Sequence, residues 1–409
     1  MKLLALLGSA AAVSLMVMPA TAQDYLPPTE MVEQALSSHP DVRAWSSRLS
    51  SAENEARRLA SGPYEWMLTG SGHQRSVGGI DDFSEFDLSV SRGVRLPGKS
   101  EIDRRIGQHG IDAARNAAED ARHQAALQLM TGWMAWLSAV ETLSISQEQV
   151  AAYEGELDAT EKRLAADDAP EIEVELVRAA LAEARATALR AAGESARARV
   201  SLQAWFPQLA LPASPPAISG PDHPETLAAL RDRVVTNSHE IGYVDAQARR
   251  AEAVAERARA DRAPDPQIGF RAFSERGGEE TGLGMTFSIP IGGGARDAAA
   301  AEQSTLASAA RQNSVRVRRA IAEVAETDFI QAQSELLAWR SAKDALAVST
   351  QVINRMRTGF GIGATTLQEL IVAERRHLAV VMMEAESRMR AATAALKLRI
   401  DAHELWLVD

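Results

Sequence analysis

KSEIDRRIGQHGIDAARNAAEDARHQAALQLMTGWMAWLSAVETLSISQEQVAAYEGELDATEKRL, residues Lys99 to Leu164, runs without a proline and is dense in Ala, Glu, Arg, Leu and Gln. Proline breaks helix interiors and these residues favour helix, so the run reads as one continuous helix. At 1.5 Å per residue such a helix is roughly 100 Å long, far more than a globular domain needs. Trp136, Leu143, Val150, Leu157 and Leu164 recur every seventh residue, with Val140 between them as a second seam position. Sustained heptads of this kind indicate coiled-coil packing, and the many alanines allow close helix approach.

The 16 prolines leave two long gaps, Gly98 to Ala169 and Ile291 to Asp409. In the second, Trp339, Leu346, Ile353 and Phe360 keep the heptad, and Leu367, Leu370, Leu378, Val381, Ala385, Met389, Ala392 and Leu396 keep a three-four spacing. The chain also reads twice. Ser38-His39-Pro40-Asp41-Val42 corresponds to Ser238-His239-Glu240-Ile241, and each begins a helix ending near Ser61 or Arg262. Val94-Arg95-Leu96-Pro97-Gly98 corresponds to Ile289-Pro290-Ile291-Gly292-Gly293, and Glu175-Leu176-Val177 to Glu369-Leu370-Ile371. So long a period fits a tandem duplication rather than a solenoid.

Between the helices the pattern switches to period two, the mark of strands. Tyr64, Trp66 and Leu68, then Phe86, Leu88 and Val90, alternate with polar or differently placed residues, as do Ile268 and Phe270, then Leu283, Met285, Phe287 and Ile289. Gly- and acid-rich turns, Val77 to Asp82 and Arg276 to Glu280, make these two hairpins. Strands of about 9–11 residues cross a bilayer when tilted, and they equally suit a half-buried sheet in a soluble protein. Four strands are too few for a barrel, and an open edge is not tolerated in lipid, so a membrane reading requires an oligomer that completes one barrel.

Met1 and Lys2, the apolar stretch Leu3 to Met18 and Ala20-Thr21-Ala22 read as a secretory signal peptide cleaved after Ala22. No later stretch is long and apolar enough for a membrane-spanning helix. Zero cysteines exclude disulfides, thiolate metal sites and thiol nucleophiles. A net charge of −11 argues against nucleic acid as a partner. The eight histidines are scattered without an HExxH or other close pair, so no metal site is expected. Gly292-Gly293-Gly294 lacks the Lys-Ser/Thr ending of a phosphate loop and reads as turn punctuation. No catalytic constellation and no cofactor are expected.

Over essentially the whole mature chain, the order of elements, the duplication and the helix lengths resemble the TolC-type outer-membrane factors of tripartite efflux and secretion systems. Arg357-Thr358-Gly359-Phe360-Gly361-Ile362-Gly363 followed by Thr366-Leu367-Gln368-Glu369-Leu370 is similar to that family's periplasmic-tip motif. Ser91-Arg92-Gly93-Val94-Arg95-Leu96-Pro97-Gly98-Lys99 resembles the element leaving the first hairpin in the CzcC-like, heavy-metal branch.

The resemblance implies a mainly α fold with a small β part. Duplicated long helical hairpins form a trimeric α-barrel, and four strands per chain contribute to a 12-stranded outer-membrane β-barrel. The expected organisation is a signal peptide at 1–22, a first repeat at 23–207, a Pro-rich linker at 208–224 in the equatorial region and a second repeat at 225–409. Strands are expected at about 64–74, 84–96, 266–274 and 281–291. Long helices are expected at about 99–164 and 296–358, with return helices at 172–204 and 365–404.

The partners implied are a homotrimer in outer-membrane lipid, a periplasmic adaptor and an inner-membrane pump, commonly of the RND type. Helix tips fall at Ala165 to Glu171 and Gly359 to Ala364. Asp167, Asp168, Arg357, Gly359, Gly363 and Thr366 are the candidates for docking the adaptor. Glu175, Glu369 and Glu374 are the candidates for an acidic periplasmic gate. The second motif carries Val372 at its next acidic position, and the first tip has Ala166-Asp167-Asp168 in place of glycine. The function expected is a passive exit duct for heavy-metal cations. The alternatives are a duct for drugs or secreted proteins, or a soluble periplasmic coiled-coil scaffold or adaptor.

Overall fold

The computed structural model describes residues 25–79, 81–218, 220–221 and 226–407. The expected signal peptide and its cleavage after Ala22 lie outside the described residues, as do Ile80 in the first strand turn and His223-Pro224 in the linker. Helices α1 (Thr29–Ser38) and α2 (Pro40–Ser61) precede strands β1 (Met67–Val77) and β2 (Asp81–Gly93), the long helix α3 (Lys99–Ala165) and its return α4 (Glu171–Trp205). The same order recurs as α5 (Leu227–Asn237), α6 (His239–Ala260), β3 (Gln267–Glu275), β4 (Glu280–Ser288), α7 (Gly294–Gly361) and α8 (Leu367–Asp401). Among the described residues no helix is long and apolar enough to cross a membrane.

The helix expected to start at Ser38-His39 or Ser238-His239 is α2 or α6, and in both halves a shorter helix not foreseen from the sequence, α1 or α5, precedes it. In the first half the break falls at His39, held extended (ψ 134°) by the proline that follows it, while Pro40 starts α2. At the matching break of the second half, Ser238-His239-Glu240, there is no proline. Ser238 adopts a similar extended backbone (ψ 117°), and its hydroxyl accepts the Ile241 amide at 3.2 Å to cap α6.

Strand limits also move from their expected places. β1 begins at Met67 rather than near 64 because Tyr64 turns aside to donate its hydroxyl to Asp265 Oδ2 at 2.7 Å. β2 ends at Gly93 rather than 96 because the Leu96 amide donates to Asp265 Oδ1 at 2.9 Å and Pro97 has no amide. β4 ends at Ser288, short of Pro290, for the same reason.

The four strands form one antiparallel sheet in the order β1-β2-β3-β4, so β2 and β3 join the two halves directly. α2 and α6 flank the first part of α3, where Gly107 lies so close to Ala56 that a Cβ would sit 2.9 Å from its Cα. Beyond them α3 packs on α4 and α8, and α7 packs on α6 and then α8. The main core lies where the middle of α3 meets α1, the ends of α4 and α8 and the linker. Leu129, Met130, Trp133, Met134, Leu36, Phe206, Leu396 and Ile400 are all buried there.

The heptad seam needs one revision. Leu143, Val150, Leu157 and Leu164 are half-buried, and the fully buried stripe along this part of α3 is Ser146, Tyr153 and Thr160. Two of these are small polar residues whose hydroxyls donate to the preceding turn, Ser146 to the Thr142 carbonyl and Thr160 to the Glu156 carbonyl, each at 2.8 Å. They can therefore be buried at a close helix contact without an unpaired group.

Trp133 is buried, and its indole N–H donates to the Tyr25 carbonyl at 2.8 Å. Trp133→Ala is expected to destabilise the chain by about 3–5 kcal/mol, seen as a lowered denaturant midpoint of the purified full chain.

Candidate functional site

Opposed residues in an antiparallel sheet share a face, so the register sorts the side chains. One face carries the rows Leu68, Val90, Phe270, Met285 and Gly70, Leu88, Ala272, Leu283, with Phe86, Ile268 and Phe287 beside them. These apolar side chains are exposed, Leu283 to 89% and Met285 to 73%. The opposite face carries Thr69, Ser89, Arg271, Gly284 and Ser71, Asp87, Phe273, Gly282 in register, then His73 opposite Glu85. Arg271 pairs with Asp87 there, and Glu85 accepts from His73 at 2.9 Å and pairs with Arg75 at 2.6 Å. Met67, Val77, Phe83 and Phe273 are apolar residues on this polar face.

The sheet is tied to the helices by charge. Lys99, 3% exposed at the start of α3, lies 2.9 Å from Asp261 and 2.8 Å from Asp265 of the other half, and donates to the Ala263 carbonyl at 2.7 Å. Burial alone would raise the Asp265 pKa, but the Lys99 ammonium, the Leu96 amide and the Tyr64 hydroxyl hold it below the usual range. Tyr64 is pushed up to about 12 by burial and by its bond to Asp265. Arg95 spans to the Leu59 and Ala60 carbonyls and to Asp103. The Ser91–Lys99 element thus anchors strand to helix, whatever else it does.

At the far ends of the long helices, both hairpins turn through the same backbone. Asp167 (φ 56°) and Gly363 (φ 73°) occupy the left-handed position. The Asp168 amide reaches back to the Arg163 carbonyl and the Ala364 amide to the Gly359 carbonyl, each at 2.8 Å, the Schellman arrangement. The missing glycine in the first tip therefore leaves its turn geometry unchanged, because aspartate tolerates this conformation better than most residues.

The two turns also set the internal register, and it differs by two residues from the alignment of Glu175 with Glu369. Glu369 is the third residue of α8 after its cap Thr366, and Glu173 is the third residue of α4 after its cap Pro170. Glu173, not Glu175, is therefore the counterpart of Glu369. In the same register the pair Glu161–Arg178 (2.6 Å) answers Arg357–Glu374 (3.2 Å) with the charges exchanged.

The gate candidates differ in their surroundings. Glu175 is exposed on α4. Glu369 is exposed too, but it closes a capping box, accepting the Thr366 amide at 2.8 Å while the Thr366 hydroxyl accepts the Glu369 amide at 3.2 Å. The Thr366 amide, then the Thr366 hydroxyl, lowers the pKa of the Glu369 carboxyl. Glu374 is half-buried and held by Arg357. It shares a cleft of about 250 Å³ with Tyr153, Gln149 and His377. Burial and then the Glu374 charge raise the pKa of Glu156.

Of the docking candidates, Asp168 pairs with Arg163 at 3.3 Å, and Arg163 also binds Glu173 at 3.2 Å and lies over the Phe360 ring. The two tips are joined through that arginine, a residue the sequence motif does not single out. Gly359 packs on Thr365, where a Cβ would come within 3.1 Å.

Neither a protein-family model nor a curated protein matches this chain. Solved structures do match. The outer-membrane channel OprN matches with a TM-score of 0.75 at 17% identity, covering 93% of this chain and 91% of that one. The outer membrane protein VceC of Vibrio cholerae matches with a TM-score of 0.72 at 17% identity, covering 91% of this chain and 95% of that one. The outer membrane channel MtrE of Neisseria gonorrhoeae, solved in its open state, matches with a TM-score of 0.68 at 15% identity, covering 93% and 89%. At these identities the likeness establishes the fold, mainly α with a small antiparallel sheet.

A carboxylate whose pKa falls on folding contributes stability that is present above its unfolded value. That stability is lost as pH drops from the ordinary 4.5 through the lower folded value. The protection factor of amides at the start of α8, exchange taken relative to the unstructured rate at the same pH, is thus expected to fall across that acid window in the native chain and to lose this pH dependence in Glu369→Gln. In the same measurement Asp167→Gly is expected to slow exchange at the first tip, reflecting about 0.5–1 kcal/mol of relieved left-handed strain.

Proposed function

We propose that this chain is one subunit of a homotrimeric outer-membrane channel, the passive exit duct of a tripartite efflux system. The observation that carries the reading is the two-faced sheet, with its continuous exposed apolar face, its ion-paired polar face and one neighbour only for β1 and for β4. The apolar face suits lipid and the polar face a water-filled lumen. Open edges cannot remain in a bilayer, so β1 of one copy pairs with β4 of the next, and three copies of the four-stranded sheet close twelve strands. Exposed apolar residues on the long helices fit the same assembly. Leu189 and Val200 on α4 and Ile330, Leu337 and Val348 on α7 are left uncovered by this chain and would be covered by neighbouring copies.

In this reading the N-terminal segment is a signal peptide removed after Ala22, and the long helices stand in the periplasm. A periplasmic adaptor docks at the tips through Asp167, Asp168, Arg357, Gly359, Gly363 and Thr366. An inner-membrane pump of the RND type supplies the energy, so the chain itself performs no chemistry. Glu175 and Glu369 project from the ends of the return helices as a cation-attracting entrance, while Glu374 acts with Arg357 as a latch between α7 and α8. The cargo is a heavy-metal cation, a reading supported by the resemblance of the Ser91–Lys99 element to the heavy-metal branch.

The test is membrane fractionation followed by the apparent mass of the detergent-extracted protein with and without heating. A heat-dissociable trimer in the outer-membrane fraction is expected, whereas a monomer in the soluble periplasmic fraction would replace the duct with a coiled-coil scaffold. Met285→Arg on the apolar face is expected to weaken membrane assembly by about 2–4 kcal/mol, and Ser89→Arg on the polar face far less.

A further inference from the structure

Far from the sheet and the tips, three chain segments bring acid and imidazole groups together. Asp120 and His123 lie one turn apart on α3, and Glu240 lies in the first turn of α6. One ligand atom from each of the three can be chosen so that all lie within 4.8 Å of one another. His123 is 6% exposed, and its Nε2 lies 2.8 Å from Asp401 Oδ1 at the end of α8. Its other ring nitrogen, Nδ1, is buried without a hydrogen-bond partner and lies 4.0 Å from Glu240 Oε1.

Three features of this cluster ask for a positive charge. A carboxyl oxygen of Asp120 and one of Glu240 lie within 4.8 Å of each other, and two carboxylates that close repel unless a proton or a cation sits between them. Burial, and then the facing Glu240 charge, pushes Asp120 up to about 6. Burial alone would lower the pKa of His123, yet the Asp401 hydrogen bond and the surrounding carboxylates raise it. Asp401 is itself held by Lys397 at 3.0 Å, and that lysine is shared with Asp328. Lys397 therefore serves the outer carboxylates, Asp401 and Asp328.

We propose that Asp120, His123 and Glu240 form a binding site for one divalent transition-metal ion of the zinc class, with Asp401 as the residue that orients the histidine. The donor set, one imidazole nitrogen and two carboxylates, is the kind zinc takes with water completing the shell. Asp401 accepting from Nε2–H would leave the Nδ1 lone pair directed to the metal, the carboxylate–histidine–metal relay that fixes tautomer and ring orientation. Tetrahedral ligands at about 2.0–2.2 Å from zinc lie about 3.3 Å apart, so modest side-chain rotations close the site. Asp120 and Glu240 are half-buried rather than sealed, which leaves a route for the ion. The site joins α3 of the first half to α6 and, through Asp401, to α8 of the second, so the ion acts as a staple between halves. It does not depend on what the channel carries.

The linear spacing of the histidines points to no metal site. The Asp120-x-x-His123 pair was the one local signal, and its third partner lies more than a hundred residues further on.

The test uses the purified full-length protein in detergent, stripped with EDTA, incubated with zinc chloride and passed through a desalting column. About one zinc retained per chain, together with a zinc-dependent rise in melting temperature, is expected. Asp120→Asn/Glu240→Gln and His123→Ala should each lose the retained zinc and the shift, while His377→Ala keeps both. Asp401→Asn should weaken zinc binding about 10- to 100-fold. The conservative double variant preserves shape and charge-free hydrogen bonding, so the experiment stands if His123→Ala misfolds. No stoichiometric zinc in the native protein, or full retention in the double variant, overturns the site. Either result leaves the membrane assembly, read separately by mass and fractionation, untouched.

Discussion

One buried ammonium sits where both halves of the chain change from helix to strand. Lys99 belongs to the first repeat, and its carboxylates, Asp261 and Asp265, belong to the second. Asp265 is in turn bonded by the Leu96 amide and the Tyr64 hydroxyl of the first repeat, and the Val94 amide meets the Pro266 carbonyl at 2.8 Å. Removing one partner from such a buried pair costs about 3–5 kcal/mol, because the other charge is left without water. The pairing of β2 with β3 begins at this junction, and with it the single sheet rather than two separate hairpins. The two-faced character of the sheet is set from here, since a one-residue slip would send every side chain to the opposite face.

That alternation explains why so much apolar surface stays uncovered in one chain. Leu68, Val90, Phe270 and Met285 lie in one row with nothing of this chain over them. The helices show the same incompleteness in milder form, with buried alanines such as Ala325 and Ala332 on one side of α7 and exposed Ile330 and Leu337 on another. A protein whose folded chain exposes both a sheet face and helix flanks is built to be finished by its surroundings.

The duplication keeps backbone geometry while exchanging the chemistry that secures it. A proline makes the kink before α2 and a serine cap makes the one before α6. An aspartate takes the left-handed turn of one tip and a glycine that of the other. Glu161–Arg178 and Arg357–Glu374 bridge equivalent positions with opposite polarity. Solutions of similar energy can replace one another without moving the main chain, so the repeats diverge in charge. Any partner that reads the two tips meets different surfaces on the same scaffold.

Reading residues in order was enough to locate the long helices, the four strands and the tips. The rules involved are local: proline cannot continue a helix, and side chains repeat every 3.6 residues on a helix and every two on a strand. The same local reading placed Glu369 at a helix start, where Thr366 caps it. It missed the buried polar stripe Ser146, Tyr153 and Thr160, because hydrophobicity marks apolar positions and says nothing of hydroxyls returned to their own helix. It set the repeats two residues out of register, because the Glu-Leu pairs match as letters while the turns that define equivalence match only in backbone. The meeting of Asp120, His123, Glu240 and Asp401, and of Lys99 with Asp265, was decided by the tertiary structure alone. Which side chains face one another across packed helices depends on how each helix is rotated and shifted along its neighbour, and those two quantities leave no trace in linear spacing.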